Sequence, residues 1–232
     1  VRVETDSELK QQLIYGVGDE HLDVIVNKLK NKFKVEVELT KPKVSYRETI
    51  KGKAEVRGKH KKQSGGHGQY GDVLMVFEPS GDMSKPYVFE EKIFGGSVPK
   101  NYFPAVEKGI QECVKAGVLA GYPMVGIKAT LTDGSYHPVD SSEMAFKTAS
   151  NIAFKKAMEQ CKPVLLEPIY TLNVTCSDSM MGDVIGDLNQ KRGRILGMQS
   201  VEEGMSVVTA QVPYAEITEY AVDLRAITQG QG

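Results

Sequence analysis

An α+β fold is predicted by three features of the sequence. The first forty residues read strand, strand, helix, strand; a basic hairpin opens the middle of the chain; and the residues after Pro163 read β-α-β-β-α.

In the first segment, Leu22, Ile25, Val26, Leu29 and Phe33 recur at helical spacing and share one face. Val35, Val37 and Leu39 then alternate with glutamates, the pattern of a half-buried strand. A unit this small buries its own helix poorly, so residues 1–40 are expected to be the later part of a domain. Thr40-Lys41-Pro42-Lys43 marks a boundary, because proline cannot donate to a ladder.

The second segment contains GGHGQYG at residues 65–71, a match to G-x-G-x-x-G at Gly66, Gly68 and Gly71. A dinucleotide fingerprint needs an apolar strand before the glycines and a helix after them. Here Glu55 to Ser64 is polar, and Asp72 to Glu78 has the Val and Phe content of a strand. Two strands around a glycine-rich tip make a hairpin, with the glycines supplying positive φ. Farther on, a helix is expected near Tyr102, with Pro104 in its first turn and Val106, Ile110, Cys113, Val114 and Gly117 in one stripe. Val125 to Leu131 reads as a strand ending in the turn Thr132 to Pro138. A further helix begins near Ser141, with Asp140 and Glu143 at capping-box spacing and Ala145, Ala149, Ile152, Ala153 and Ala157 on a small-residue face.

Pro163 to Pro168 reads as another break. After it come a strand (Tyr170 to Thr175), a helix (Met180 to Lys191), two strands (Arg194 to Gln199, Ser206 to Pro213) and a helix (Ile217 to Thr228) with Ile217, Ala221, Leu224 and Thr228 on one face. This order is that of a ferredoxin-like split unit short of its last strand. Both ends are therefore expected to fall within domains of a longer protein.

Composition narrows the function. The 232 residues are 41% hydrophobic, enough for a real core, and the net charge of −1 argues against a generally basic nucleic-acid binder. Charge is instead local: Lys51, Lys53, Arg57, Lys59, Lys61 and Lys62 face Glu55 alone in the hairpin region, either a solvated face or an anion-binding one. Cys113, Cys161 and Cys176 form no C-x-x-C pair, which suggests neither disulfides nor zinc and fits a cytosolic chain. No long apolar run or signal peptide is present.

Candidate chemistry is sparse. His137, Asp140 and Ser141 contain the residue types of a hydrolase triad, but they lie within one turn and a helix start, whereas triad members converge from separate segments. The absence of G-x-x-x-x-G-K-[ST] excludes a Walker-type phosphate loop. His60 and His67 lack the clustered partners of a metal site. Tyr136 and His137 sit where rings can project into solvent, or where a turn histidine is merely exposed. Lys191, Arg192 and Arg194 form a second basic turn, able to touch phosphate or simply be solvated.

Several stretches, taken together, resemble bacterial translation elongation factor G: Ser45-Tyr46-Arg47-Glu48-Thr49-Ile50, Gly65 to Gly71, Asp133-Gly134-Ser135-Tyr136-His137, Val139 to Lys147, and Gly182-Asp183-Val184-Ile185-Gly186-Asp187-Leu188-Asn189. They occur in the family's order and span essentially the whole chain. The resemblance implies a ferredoxin-like partial domain III at 1–40, and a domain IV at 41–163 with the ribosomal-protein-like β-α-β fold and its left-handed crossover. It also implies a ferredoxin-like domain V at 164–232 lacking its last strand. Domain II and a GTPase domain holding GTP and Mg would precede Val1, so this piece itself would catalyse nothing and hold no cofactor or metal.

Carried over position by position, Gly65, Gly66, His67, Gly68, Gln69 and Tyr70 would lie beside Ser135, Tyr136 and His137 at the end of domain IV that enters the small-subunit decoding region, facing tRNA, mRNA or ribosomal RNA. Lys59, Lys61 and Lys62 would support that tip. His137 matches the position that becomes diphthamide in eukaryotic relatives, and would be unmodified in a bacterial protein. Domain V would meet large-subunit RNA near the factor-binding centre, with Lys191, Arg192 and Arg194 as candidates by charge. The implied protein is a cytoplasmic monomer that binds ribosomes and no membrane. His67 stands where the family tip commonly has arginine, which suggests a diverged paralogue as an alternative; a ribosomal protection protein and a small-molecule kinase relative sharing the domain IV fold are the other readings.

Overall fold

The computed structural model describes residues 1–232. The chain divides into two compact units: residues 46–166 form one, and residues 1–45 with 167–232 form the other.

The second of these begins with an antiparallel hairpin, β1 (Arg2–Asp6) and β2 (Gln11–Tyr15). Asp6 makes the reversal, since its Oδ1 accepts the N–H groups of Glu8 (3.0 Å) and Leu9 (3.2 Å). Helix α1 (Asp19–Phe33) follows and ends where Lys34 turns left-handed, with the Lys34 and Val35 N–H groups closing on Lys30 and Leu29. Leu22, Ile25, Val26 and Leu29 are half-buried along its predicted face, while Phe33 is exposed. The strand expected at Val35, Val37 and Leu39 does not form. β1 and β2 pair only with each other, so the alternating segment has no ladder to join and its three apolar side chains stay exposed.

The 46–166 unit holds the larger core. Its main sheet has the order β4-β5-β7-β6, built from β4 (Ala54–Lys62), β5 (Gln69–Pro79), β6 (Tyr87–Glu91) and β7 (Ile127–Ser135), and β6 runs parallel to β7. Helices α2 (Phe103–Ala116) and α3 (Glu143–Met158) cover one face. Period-two burial of Ala54, Val56 and Gly58 on β4, and of Gly71, Val73, Met75 and Phe77 on β5, sets that face. Phe77 meets Phe154 edge-on at 5.4 Å, and Tyr102 stacks on Phe146 at 4.5 Å. β3 (Arg47–Ile50) pairs with β8 (Pro163–Leu166), so the first part of the break expected from Pro163 to Pro168 is a strand, and the two compact units divide after Leu166. Gly117 falls past the end of α2 as its C-cap, at φ 70°, rather than in the apolar stripe.

β7 is longer than the sequence suggests. Asp133-Gly134 reads as a turn, yet both residues stay in the ladder opposite β5. A side chain at Gly134 would put Cβ 2.2 Å from the Asp72 carbonyl oxygen, so this glycine serves close strand approach. The register shifts beside Thr132, whose Oγ1 donates to the Leu74 carbonyl at 3.1 Å.

Residues 167–232 show the predicted order: β9 (Ile169–Ser177), α4 (Met181–Gln190), β10 (Arg194–Glu202), β11 (Met205–Pro213) and α5 (Tyr220–Thr228), with antiparallel sheet order β10-β11-β9. Val174, Cys176, Val184, Leu188, Val208, Ala210 and Val212 form its core. α5 starts three residues after Ile217, and its inner face is Tyr220, Leu224 and Thr228, leaving Ala221 exposed. No helix of the chain is long and apolar enough to cross a membrane.

Candidate nucleic-acid interface

The hairpin predicted around GGHGQYG is present: β4 and β5 pair from Ala54↔Phe77 out to Lys62↔Gln69, and residues 63–68 form the tip. Its glycines do different jobs. Gly65 (φ 43°) and Gly66 (φ 117°) supply left-handed backbone in open space. Gly68 and Gly71 do not adopt positive φ and serve close approach instead: a Cβ at Gly71 would lie 2.4 Å from the Ala145 carbonyl oxygen of α3, and one at Gly68 would lie 2.8 Å from Asp140 Oδ2.

The turn after β7 is joined to this tip. Asp140 Oδ1 accepts the Gly68 N–H at 3.0 Å, the Tyr70 N–H donates to the Asp140 carbonyl at 2.9 Å, and Ser141 Oγ donates to the Tyr70 carbonyl at 2.9 Å. The His137 N–H donates to Ser141 Oγ at 2.8 Å, while His137 Nδ1 accepts from the N–H groups of Val139 (3.2 Å) and Asp140 (3.0 Å). Gly65 to Tyr70 and Ser135 to His137 therefore end in one tip. Ser141 Oγ and His137 Nδ1 thus bond to backbone groups and not to each other. Asp140 is not the helix cap: Ser142 is, its Oγ accepting from the Ala145 N–H at 3.1 Å.

Beneath the tip lies a polar network that sequence reasoning missed. Asp72 is fully buried, and Arg57 grips both of its oxygens, Nε to Oδ1 at 2.8 Å and Nη2 to Oδ2 at 2.5 Å. Ser135 donates to Asp72 Oδ2 and shares a 2.7 Å hydrogen bond with the Tyr70 hydroxyl. Burial pushes the Asp72 carboxyl up, but Arg57 and Ser135 outweigh it and hold the group below the ordinary carboxylate value. The available signal was the alternation of β5, which puts Asp72 on the same sheet face as Tyr70 and opposite Lys59.

The tip's cations point outward. Lys59, Lys61 and Lys62 are exposed, and Lys59 Nζ stands 5.3 Å from the Tyr70 ring centroid. His67 and Gln69 are exposed, Tyr136 is half exposed, and Gln69 Oε1 is held by His60 Nε2 at 2.7 Å.

The second basic turn is different. Lys191 pairs with Asp187 (3.0 Å) and Asp223 (3.2 Å), and Arg192 pairs with Glu167 and Glu216. Those carboxylates neutralise two of the three cations predicted to face RNA. Arg194 alone of the three is exposed and outside any ion pair.

A hairpin-tipped unit with a β-α-β crossover, in one chain with a β-α-β-β-α unit, has the build of the C-terminal region of a translation elongation factor. Family comparison agrees along the whole chain: elongation factor G domain III matches residues 1–41, elongation factor G domain IV residues 42–162, and the elongation factor G C-terminus residues 164–232. The chain belongs to the elongation factor G family. A crystal structure of a Thermus thermophilus protein superposes with a TM-score of 0.86 at 49% sequence identity, over 99% of this chain and 34% of that one. The present chain thus spans about a third of that relative's length.

Proposed function

We propose that this chain is the part of a ribosomal translocase that meets RNA, with the Gly65–Tyr70 and Ser135–His137 tip entering the small-subunit decoding region beside tRNA and mRNA. The carrying observation is the bonding of both loops into one tip through Asp140 and Ser141, with Lys61 and Lys62 exposed on it. Cations on such a tip gain affinity by releasing counterions from RNA, and Gly65 and Gly66 let backbone approach phosphates. No bond is made or broken there. The tip occupies space vacated by tRNA and opposes its return, while a preceding domain of the parent protein hydrolyses GTP with Mg and supplies direction. Residues 1–40, 41–163 and 164–232 act as the domain III, IV and V portions of a cytoplasmic, monomeric factor, and Arg194 is the foremost candidate for the large-subunit contact.

An iron chelate that generates hydroxyl radicals, attached through cysteine at position 67 or 137 after Cys113, Cys161 and Cys176 are replaced, tests this on ribosomes at low salt. Cleavage of decoding-region RNA from both positions is expected. Scattered cleavage removes the reading.

His67 favours a second reading, a diverged paralogue with a weaker tip, because it is exposed where a permanently charged guanidinium would bind phosphate. Translocation by the full-length protein rising on His67→Arg supports the paralogue; no change leaves the main translocase.

A further inference from the structure

A third loop reaches the same end of the sheet. β6 runs parallel to β7, Glu91 pairs with Leu131, and the Lys92 N–H continues the ladder to the Leu131 carbonyl at 2.8 Å. The chain then turns through Ile93, Phe94, Gly95, Gly96, Ser97 and Val98. Ile93 packs on the core and Val98 is buried, its Cγ2 2.6 Å from where a Cβ at Gly134 would stand. Gly134 directly precedes Ser135, Tyr136 and His137, so these anchors fix the loop beside the tip. Between them, Gly95 (φ 67°) and Gly96 (φ 70°) take left-handed conformations in open space, and the Phe94 side chain is 93% exposed.

We infer that Phe94 is a stacking platform for an unpaired RNA base, extending the interface to a third loop. The inference rests on the RNA-facing reading of the tip. Two anchors and two left-handed glycines hold an apolar ring in water, an arrangement that a folding role does not explain because the ring covers nothing. Lys92 and Lys100, on either side of the loop in sequence, are exposed and enter no ion pair, so cations for a nucleotide's phosphates belong to the same stretch of chain. An aromatic face accepts any base, which suits a contact that must tolerate changing sequence.

The chain contains no tryptophan, so Phe94→Trp installs a single fluorescent reporter at the loop. Binding of the 232-residue chain to bacterial ribosomes at low salt is compared for the unsubstituted chain, Phe94→Trp, Phe94→Leu, Phe94→Ala and the Lys61→Gln/Lys62→Gln pair. Stacking predicts retained affinity and quenched emission for Phe94→Trp, and an affinity loss of about tenfold for both Phe94→Leu and Phe94→Ala. Full binding by Phe94→Leu with loss in Phe94→Ala would mean an apolar protein pocket and overturn the base assignment. Full binding by every Phe94 variant, with loss in the lysine pair, overturns the inference and leaves the tip reading standing. If the lysine pair binds like the unsubstituted chain, or the unsubstituted chain does not bind, the tip reading falls and this inference with it.

Discussion

Asp140 Oδ1 accepts the backbone N–H of Gly68 at 3.0 Å, joining two loops that are 72 positions apart in the chain. The Gly68 N–H donates to no other group, so Asp140→Ala should weaken its protection from solvent. Loss of one such hydrogen bond is worth about 1 kcal/mol, so amide exchange at Gly68 should quicken about fivefold. Exchange in the core of α3 should not change, and equal acceleration in both places would show that the bond supports the whole unit rather than the tip.

Asp140 also shows where sequence reasoning stops. Asp140 and Ser142 are both good helix caps by chemistry, but Ser142 caps α3 while the Asp140 carboxylate is taken up by Gly68 of a remote hairpin. The hairpin itself was legible because a glycine cluster separates a polar run, Glu55 to Ser64, from a strand-like one, Asp72 to Glu78. The extra length of β7 was not, because Gly134 answers to the Asp72 carbonyl across the sheet rather than to its neighbours. Lys191 and Arg192 read as free cations for a similar reason: Glu167, Glu216 and Asp223 approach them only after folding. Val35, Val37 and Leu39 carry a true strand pattern, and pattern alone cannot supply a partner.

The glycines of the hairpin should separate by mechanism. Gly71→Ala drives a Cβ to 2.4 Å from the backbone of α3, which cannot swing aside, so a loss of about 3 kcal/mol is expected. Gly65→Ala meets no atom within 4 Å and bears only the strain of its left-handed backbone, about 1 kcal/mol. Urea unfolding of both variants measures the difference. Equal losses would mean that α3 yields to the added methyl.

Glu48 is fully buried on β3, and its two oxygens accept four backbone N–H groups, those of Val118 (2.6 Å), Leu119 (2.7 Å), Ala120 (2.9 Å) and Tyr122 (3.0 Å). Burial raises its pKa, but the four donors prevail and hold it below the ordinary 4.5. A depressed carboxyl pKa contributes stability that is complete above the unfolded value and lost as pH falls through the folded one. Glu48→Gln keeps one acceptor and turns an NH2 toward donors, so at neutral pH it should cost about 3 kcal/mol. The gap between variant and parent should then narrow below pH 4.5, and urea unfolding across that range would expose a constant gap if the charge were unimportant.

Arg192 and Arg194 should differ as RNA ligands although they are two residues apart. Arg192 already satisfies Glu167 and Glu216, and releasing it to a phosphate would strand both carboxylates. Arg194 is exposed at the start of β10 without such partners. Arg194→Ala should weaken ribosome binding and lower the slope of log affinity against log salt by close to one charge, about 0.7 to 0.9. Arg192→Ala should leave that slope unchanged and lower thermal stability, since Glu167 and Glu216 lose their shared cation. Titrations of both variants at several salt concentrations decide the matter: an equal fall in slope for Arg192→Ala would show that its ion pairs open on the ribosome and that the whole turn, not Arg194 alone, carries the contact.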